Sequence, residues 1–273
     1  MDNYSIDFLL NIEEVNKIVS IFQNEKAEIR LVGGCVRNAL LNKNYKDIDC
    51  AVNIHPNDTT KILQKNNIKF QDFAKKYGSV SAFINNKKIE ITSLRKDIAQ
   101  KGRHTDILYT EDWKIDAVRR DFTINALYLT SEGKLIDYFD GLKDLKENKI
   151  KFIGNIEKRI KEDFLRIYRY FRFLGIFEEP NVIENYEDIL NQYLIESFNY
   201  LSNEIIRNEI LKMLKNPFPL NSFSNFHNPE KKYYWLEKTT QHFLKQKYQL
   251  GVEKCLNKVE DFFYKNLFSN LSQ

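Results

Sequence analysis

With 273 residues, 42 Lys and Arg against 38 Asp and Glu, and a formal net charge of only +4, the chain can bury a core in two or three modules but cannot hold a polyanion by bulk charge. Its three cysteines, Cys35, Cys50 and Cys255, are odd in number and lack metal-like spacing, which predicts a reducing, cytoplasmic setting. No apolar run is long enough to span a bilayer, so no membrane is expected as a partner.

Ile12, Val15, Ile18, Val19 and Phe22 recur at helical spacing and predict a first helix. Ile29 to Val32 then reads as a strand, Gly33-Gly34 as a tight turn, and Cys35 to Leu41 as a helix whose free N–H groups would face an anion. A second strand, Ile48 to Val52, follows at once. Side chains alternate along a strand, so Asp47 and Asp49 point to one face and can bind the same pair of cations, the geometry of two-metal phosphoryl chemistry. A Gly-Gly turn or an Asp-x-Asp strand end is ordinary when met alone; the joint spacing is what carries information. This is not a Walker loop, because no Gly-Lys-Ser/Thr follows, and it lacks the third glycine of a dinucleotide fingerprint.

Val80 to Ile84, the turn Asn85-Asn86-Lys87 and Ile89 to Thr92 predict a hairpin, which puts Glu90 next in line to complete a carboxylate cluster. Lys96 to Asp112 carries several charges and little periodicity, so a mobile loop is expected there. Arg119-Arg120-Asp121 sits where the chain enters an apolar segment, and without further context it also reads as a helix cap with solvated arginines. Leu127-Tyr128-Leu129, Ser131-Glu132-Gly133 and Leu135-Ile136 form a second predicted hairpin.

Beyond residue 149 the pattern turns helical. Ile160, Phe164, Ile167, Phe171 and Leu174 fall at offsets 0, 4, 7, 11 and 14, the core stripe of one helix. Asp163 and Arg166 would then share a face of that helix, as an acceptor–donor pair or as a plain intrahelical salt bridge, with Arg169 opposite the stripe and Arg172 further around. Lys158, Arg159 and Lys161 read as a solvated face or as contacts to phosphates. Further helices are expected over 183–197 and 203–215, the latter ended by Pro217 and Pro219, and around Tyr233 to Leu236 and Phe262 to Tyr264.

Three ordered motifs now stand out: Leu31-Val32-Gly33-Gly34-Cys35-Val36-Arg37 with Asp47-Ile48-Asp49, Arg119-Arg120-Asp121-Phe122-Thr123-Ile124-Asn125-Ala126, and Glu162-Asp163-Phe164-Leu165-Arg166. In order and spacing they resemble the signatures of class II CCA tRNA nucleotidyltransferases and bacterial poly(A) polymerases over roughly residues 28 to 215. Arg95-Lys96-Asp97, Gly102-Arg103-His104 and Asp112-Trp113 look most like the alphaproteobacterial branch. The resemblance implies an α+β protein. A polymerase-β-like nucleotidyltransferase head with a mixed sheet would occupy 1–148, an all-α neck with the nucleotide-selecting helix 149–217, and a shortened helical body 218–273, with the family's tail shortened or missing.

It also implies template-independent transfer of CMP and AMP from CTP and ATP to a tRNA 3′ end, with release of pyrophosphate. Asp47 and Asp49 would hold two Mg²⁺ ions, and Glu90 would help deprotonate the attacking hydroxyl or ligate one ion. Gly34 would let the backbone approach the triphosphate, and Arg37, unless it is an ordinary surface arginine, would add a charge-assisted contact. The resemblance places Arg120 on the nucleotide and Asp121 and Asn125 around the ribose, while Thr123 reads equally as a cap. Asp163 and Arg166 would select the base, because cytosine and adenine both offer an exocyclic amine beside a ring-nitrogen acceptor, and Arg169 and Arg172 would also touch the nucleotide. Arg95, Asp97, Arg103 and His104 fall where the family has a flexible loop that helps switch from C to A. A poly(A) polymerase, a CC-adding or an A-adding enzyme shares these motifs, and a catalytically silent RNA-binding protein is the reading from another class.

Overall fold

The computed structural model describes residues 6–44, 47–101, 104–224, 226 and 234–245. They fall into two compact units, Met1–Asp163 and Phe164–Gln273. The first opens with helix α1 (Glu13–Asn24), which buries Val15, Ile18, Val19 and Phe22, the apolar positions of its sequence stripe. Strand β1 (Ile29–Val32), helix α2 (Gly34–Leu40) and strand β2 (Ile48–Val52) follow as expected. Helix α3 (Pro56–Lys65) starts with proline at its first turn, where no N–H is missed, and the His55 side chain accepts from the Asn57 amide at 3.2 Å.

Strands β3 (Lys69–Gln71), β4 (Ser79–Ile84) and β5 (Lys87–Ser93) come next. The β4–β5 hairpin closes on Asn85 and Asn86 at φ of 48° and 63°, the pair of left-handed residues that matches the twist of the flanking strands. Strands β6 (Arg95–Lys101) and β7 (His104–Tyr109) form a separate two-stranded antiparallel ribbon with an irregularity between Asp97 and Ala99. The loop expected over 96–112 is therefore corrected to a paired ribbon followed by helix α4 (Trp113–Val118), whose start is capped by Asp112 accepting from the Lys114 and Ile115 amides at 2.8 and 3.2 Å.

Strands β8 (Leu127–Leu129) and β9 (Leu135–Asp137) make the second predicted hairpin. They complete a seven-stranded mixed sheet in the order β3-β4-β5-β2-β1-β8-β9, in which only β2 and β5 run parallel. Val32, Ala51, Leu94, Trp113, Ala117, Ala126, Tyr128 and Ile153 join the sheet and α4 in one buried cluster. Helix α5 (Gly141–Lys146) packs so closely on the 123–125 turn that a Cβ on Gly141 would lie 2.2 Å from the Thr123 carbonyl oxygen, so no larger residue fits.

Past α5 the chain departs from its sequence pattern in two places. The boundary placed at 148/149 falls inside the first unit, because the next residues are sewn to it. Phe152 bridges Phe122, the Thr123 amide donates to the Lys151 carbonyl at 3.0 Å, and Arg159 Nη2 donates to the Arg119 and Arg120 carbonyls at 2.7 and 2.5 Å. The single helix predicted through Ile160 and Phe164 is in fact two, α6 (Ile156–Glu162) and α7 (Leu165–Leu174), separated at Asp163, whose φ of −153° and ψ of 103° are extended. Asp163 therefore shares no helical face with Arg166.

The second unit contains α7, α8 (Tyr186–Ser197), α9 (Asn203–Met213) and α10 (Tyr234–Lys245). Trp235 lies at the centre of its aromatic core, stacked on Phe171 at 5.0 Å and on Phe223 at 5.7 Å, with Tyr168 edge-on at 6.0 Å. The helix expected around Phe262 to Tyr264 lies outside the described residues. No helix among the described residues is long and apolar enough to cross a membrane.

Candidate active site

The strand β1 runs straight into Gly33, at φ 77° and ψ −127°, a conformation that only glycine adopts without strain. A Cβ there would lie 3.6 Å from Arg120 Nη1 and 3.9 Å from both Asp49 Oδ2 and the Asn125 carbonyl oxygen. Three sequence-predicted residues thus converge on the turn. Gly34 is more open, with Arg37 Nη2 3.8 Å from its Cβ position. The next residue, Cys35, has a buried thiol that donates to the Val32 carbonyl at 3.3 Å and whose pKa is pushed up to about 11 by burial, so it is a packing group and not a nucleophile.

Asp47 is exposed just before β2, and Asp49 is half-buried within it. The parallel register pairs Asp49 with Glu90 on β5, so the predicted neighbour relation is met. Glu90 Oε2 is held by Lys88 Nζ at 2.8 Å and by the Ser81 hydroxyl at 2.9 Å. Burial pushes the Asp49 pKa up, Arg120 and Lys88 pull it back, and Asp47 and Glu90 add like-charge repulsion, with a net rise. A cation would relieve that repulsion, and the hard carboxylate oxygens of Asp47 and Asp49 suit Mg²⁺. Among the described residues no three His, Cys, Asp or Glu side chains form a complete metal cage, so an ion here would draw other ligands from substrate or water.

Arg37 is buried and not the surface arginine that its helix position allows. Its Nη1 donates to Asn125 Oδ1, while Nε and Nη2 donate to Asn38 Oδ1 at 3.1 and 2.8 Å. Asn125 in turn donates to Asp121 Oδ1 at 3.0 Å, and the same oxygen takes the Phe122 amide at 2.9 Å. The structure thus links Arg37, Asn125 and Asp121 in one buried chain. Thr123 donates to Asp144 Oδ2 at 2.7 Å, which fastens the turn to α5.

Sequence reasoning missed Asp116 and Tyr128. Asp116 is wholly buried, 2.7 Å from Arg119 Nε and 3.3 Å from Arg120 Nη2, and it accepts the Tyr128 hydroxyl at 2.9 Å. The solvated-arginine reading of Arg119-Arg120 is therefore replaced by a paired one. The signal was present, since Asp116 precedes the two arginines by three and four residues at the end of a helix.

In the ribbon, Arg95 Nε lies 3.8 Å from Asp97 Oδ1. Gly102 and Arg103 and the His104 side chain lie outside the described residues. On α7, Arg166 is buried, and Arg172 Nε lies 3.2 Å from Glu209 Oε2. The guanidinium carbons of Arg169 and Arg172 sit 5.6 and 4.7 Å from the Phe173 ring centre. Arg172, expected on the nucleotide, thus has a carboxylate partner within its own unit.

Residues 29–151 match the Poly A polymerase head domain. The human mitochondrial CCA tRNA nucleotidyltransferase 1 is 40% identical over 170 residues, which are 62% of this chain and 39% of the human protein. A CCA-adding enzyme of Lactobacillus johnsonii is 35% identical over 188 residues, 68% of this chain and 46% of that protein. The crystal structure of the Bacillus stearothermophilus CCA-adding enzyme in complex with CTP superposes with a TM-score of 0.68 at 28% identity, covering 77% of this chain and 50% of that one. The chain spans less than half the length of these two curated relatives.

Proposed function

Because the chain belongs, through its head, to the family of CCA-adding tRNA nucleotidyltransferases and bacterial poly(A) polymerases, we propose that it adds C and A to tRNA 3′ ends without a template, taking CMP and AMP from CTP and ATP. The observation that carries this reading is the register placing Asp49 beside Glu90, next to a Gly33 turn that Arg120 also reaches. The RNA 3′-hydroxyl oxygen attacks the α-phosphorus, the new P–O bond forms, the bond to the β-phosphate oxygen breaks, and pyrophosphate leaves with the electron pair.

Asp47 and Asp49 are the proposed ligands of two Mg²⁺ ions, which when bound favour ionisation of the attacking hydroxyl and neutralise charge on the leaving group. Glu90, with Oε2 fixed by Lys88 and Ser81, is the proposed acceptor of the hydroxyl proton or a further ligand. Arg37 and Arg120 bring positive charge to the triphosphate, and the bare Cα of Gly34 lets the backbone come close to it. Asp121 and Asn125, besides holding Arg37, are the proposed edge of the ribose pocket. Asp163, in the same unit as Asp49 and Arg120, is assigned the exocyclic amine that cytosine and adenine share. A cytoplasmic setting suits the free, buried thiols of Cys35 and Cys50.

The test supplies purified protein and Mg²⁺ with tRNA transcripts ending before CCA, after C and after CC, with CTP and ATP given separately and together. Three additions to the shortest transcript, resolved at single-nucleotide length, support the reading. Arrest after two C transfers it to a CC-adding enzyme, extension of only the CC-ending transcript to an A-adding one, and a long A ladder to a poly(A) polymerase.

A further inference from the structure

A long arginine side chain aims at a ligand only if its rotamer freedom is removed beforehand. Two of the three guanidinium nitrogens of Arg120 are already committed in this head. Nε donates to the Tyr128 hydroxyl oxygen at 3.0 Å, and Nη2 donates to Asp116 Oδ2 at 3.3 Å. Binding one edge of a planar guanidinium at two points sets its plane as well as its position. The remaining nitrogen, Nη1, is the atom nearest the Cβ position of Gly33, and it makes no hydrogen bond among the described residues.

The two anchoring groups are themselves fixed. Tyr128 is fully buried, and its single hydroxyl accepts from Arg120 while donating to Asp116 Oδ2 at 2.9 Å. Burial pushes its pKa up, so the phenol stays protonated and keeps its donor. Both oxygens of Asp116 are occupied: Oδ1 takes Arg119 Nε at 2.7 Å and the Arg95 amide at 3.4 Å, and Oδ2 takes Tyr128 and Arg120. A charge balance alone would need only proximity; this set adds direction.

We propose that Asp116 and Tyr128 are positioning residues for a nucleoside triphosphate, holding the Nε–Nη2 edge of Arg120 so that Nη1 faces the Gly33 turn where the phosphates would lie. The inference rests on the assignment of a nucleotide to this head, and it adds two residues that touch no substrate.

The test is a double-mutant cycle on ATP affinity, measured by equilibrium titration of the full chain with Mg²⁺ present, using Tyr128→Phe and Arg120→Lys. Tyr128→Phe keeps the ring and removes only the hydroxyl. It should weaken ATP binding about tenfold in the native background and less than about twofold when position 120 carries lysine, whose single nitrogen has no plane to set. Asp116→Asn, run through the same cycle, supplies the second variant if the first lowers the melting temperature, and it should show the same non-additivity. Equal factors in both backgrounds overturn the proposal, as does an ATP affinity indifferent to either substitution.

Extension of tRNA by the same proteins separates the two levels. Coupling without RNA extension leaves the positioning role standing and removes the proposed activity. Extension with additive factors removes the positioning role alone. A native chain that binds no ATP overturns both.

Discussion

In the first unit the buried charged groups reach across elements: Arg37 from α2 to Asn125, Asp116 from α4 to Tyr128, Asp144 from α5 to Thr123, and Arg159 from α6 to the Arg119 and Arg120 carbonyls. The second unit has buried carboxylates too, with Glu187 accepting the Phe226 amide at 3.0 Å and Glu209 beside Arg172 and Lys212, but its centre is a stack of rings around Trp235. Ring stacking is broad and tolerant of small displacements, whereas hydrogen bonds to ionised groups weaken steeply with angle and distance. The first design fixes where side chains point, and the second fixes mainly how tightly helices pack. Conservative changes should therefore alter chemistry in one unit and stability in the other.

The largest expected effect is on activity. Asp49→Asn should lower nucleotide incorporation by at least about a thousandfold while leaving the fold intact, as read by single-turnover kinetics beside thermal melting. Trp235→Ala should do the opposite, removing the ring shared by Phe171, Phe223 and Tyr168 at a cost of about 3–5 kcal/mol in urea unfolding. A Trp235→Ala protein as stable as the native one would break the contrast. Gly33→Ala falls between them. Its φ of 77° and ψ of −127° strain any side chain by roughly 1–3 kcal/mol, and the methyl, in ordinary contact with Arg120 Nη1 at 3.6 Å, would stand in the space proposed for the phosphates, so the KM for ATP should rise along with a modest fall in melting temperature.

The smallest effect is a pH dependence. Burial, with the repulsion of Asp47 and Glu90, holds the Asp49 pKa above its ordinary 3.8. The folded chain then keeps that proton to higher pH than the unfolded chain, so the contribution of Asp49 to stability falls as pH rises from about 3.8 through the folded value. Above that window, and without metal, Asp49→Asn should melt slightly higher than the native protein. Added Mg²⁺ should stabilise the native protein but not the variant. Melting curves that coincide at all pH values would contradict this electrostatic account.

Much of the first unit was legible because its signals are local. The Ile29 to Val32 run, the paired glycines, the alternating aspartates and the Asn85-Asn86 turn each specify geometry within a few residues. The strand that carries Glu90 was legible from its hairpin turn, whereas the parallel pairing that sets Glu90 opposite Asp49 joins strands distant in sequence and left no local mark. The ribbon was missed since Ile98 and Leu108 are exposed, so no buried face imposed an alternating pattern. The break at Asp163 was hidden by Ile160, Phe164 and Ile167, which keep helical spacing across it. Asp116 was overlooked because its spacing of three and four residues to Arg119 and Arg120 does not by itself show burial, which depends on tertiary partners, here Tyr128 and the Arg95 amide.

The most direct test of the central claim counts pyrophosphate released per AMP incorporated into a CC-ending tRNA, as Mg²⁺ is titrated into the native protein and into an Asp47→Asn plus Asp49→Asn variant. One pyrophosphate per nucleotide, dependent on Mg²⁺ and lost in the double variant, is the predicted result. RNA binding that is equal in both proteins, with no metal-dependent release of pyrophosphate in either, would contradict it and leave an RNA-binding protein without this chemistry.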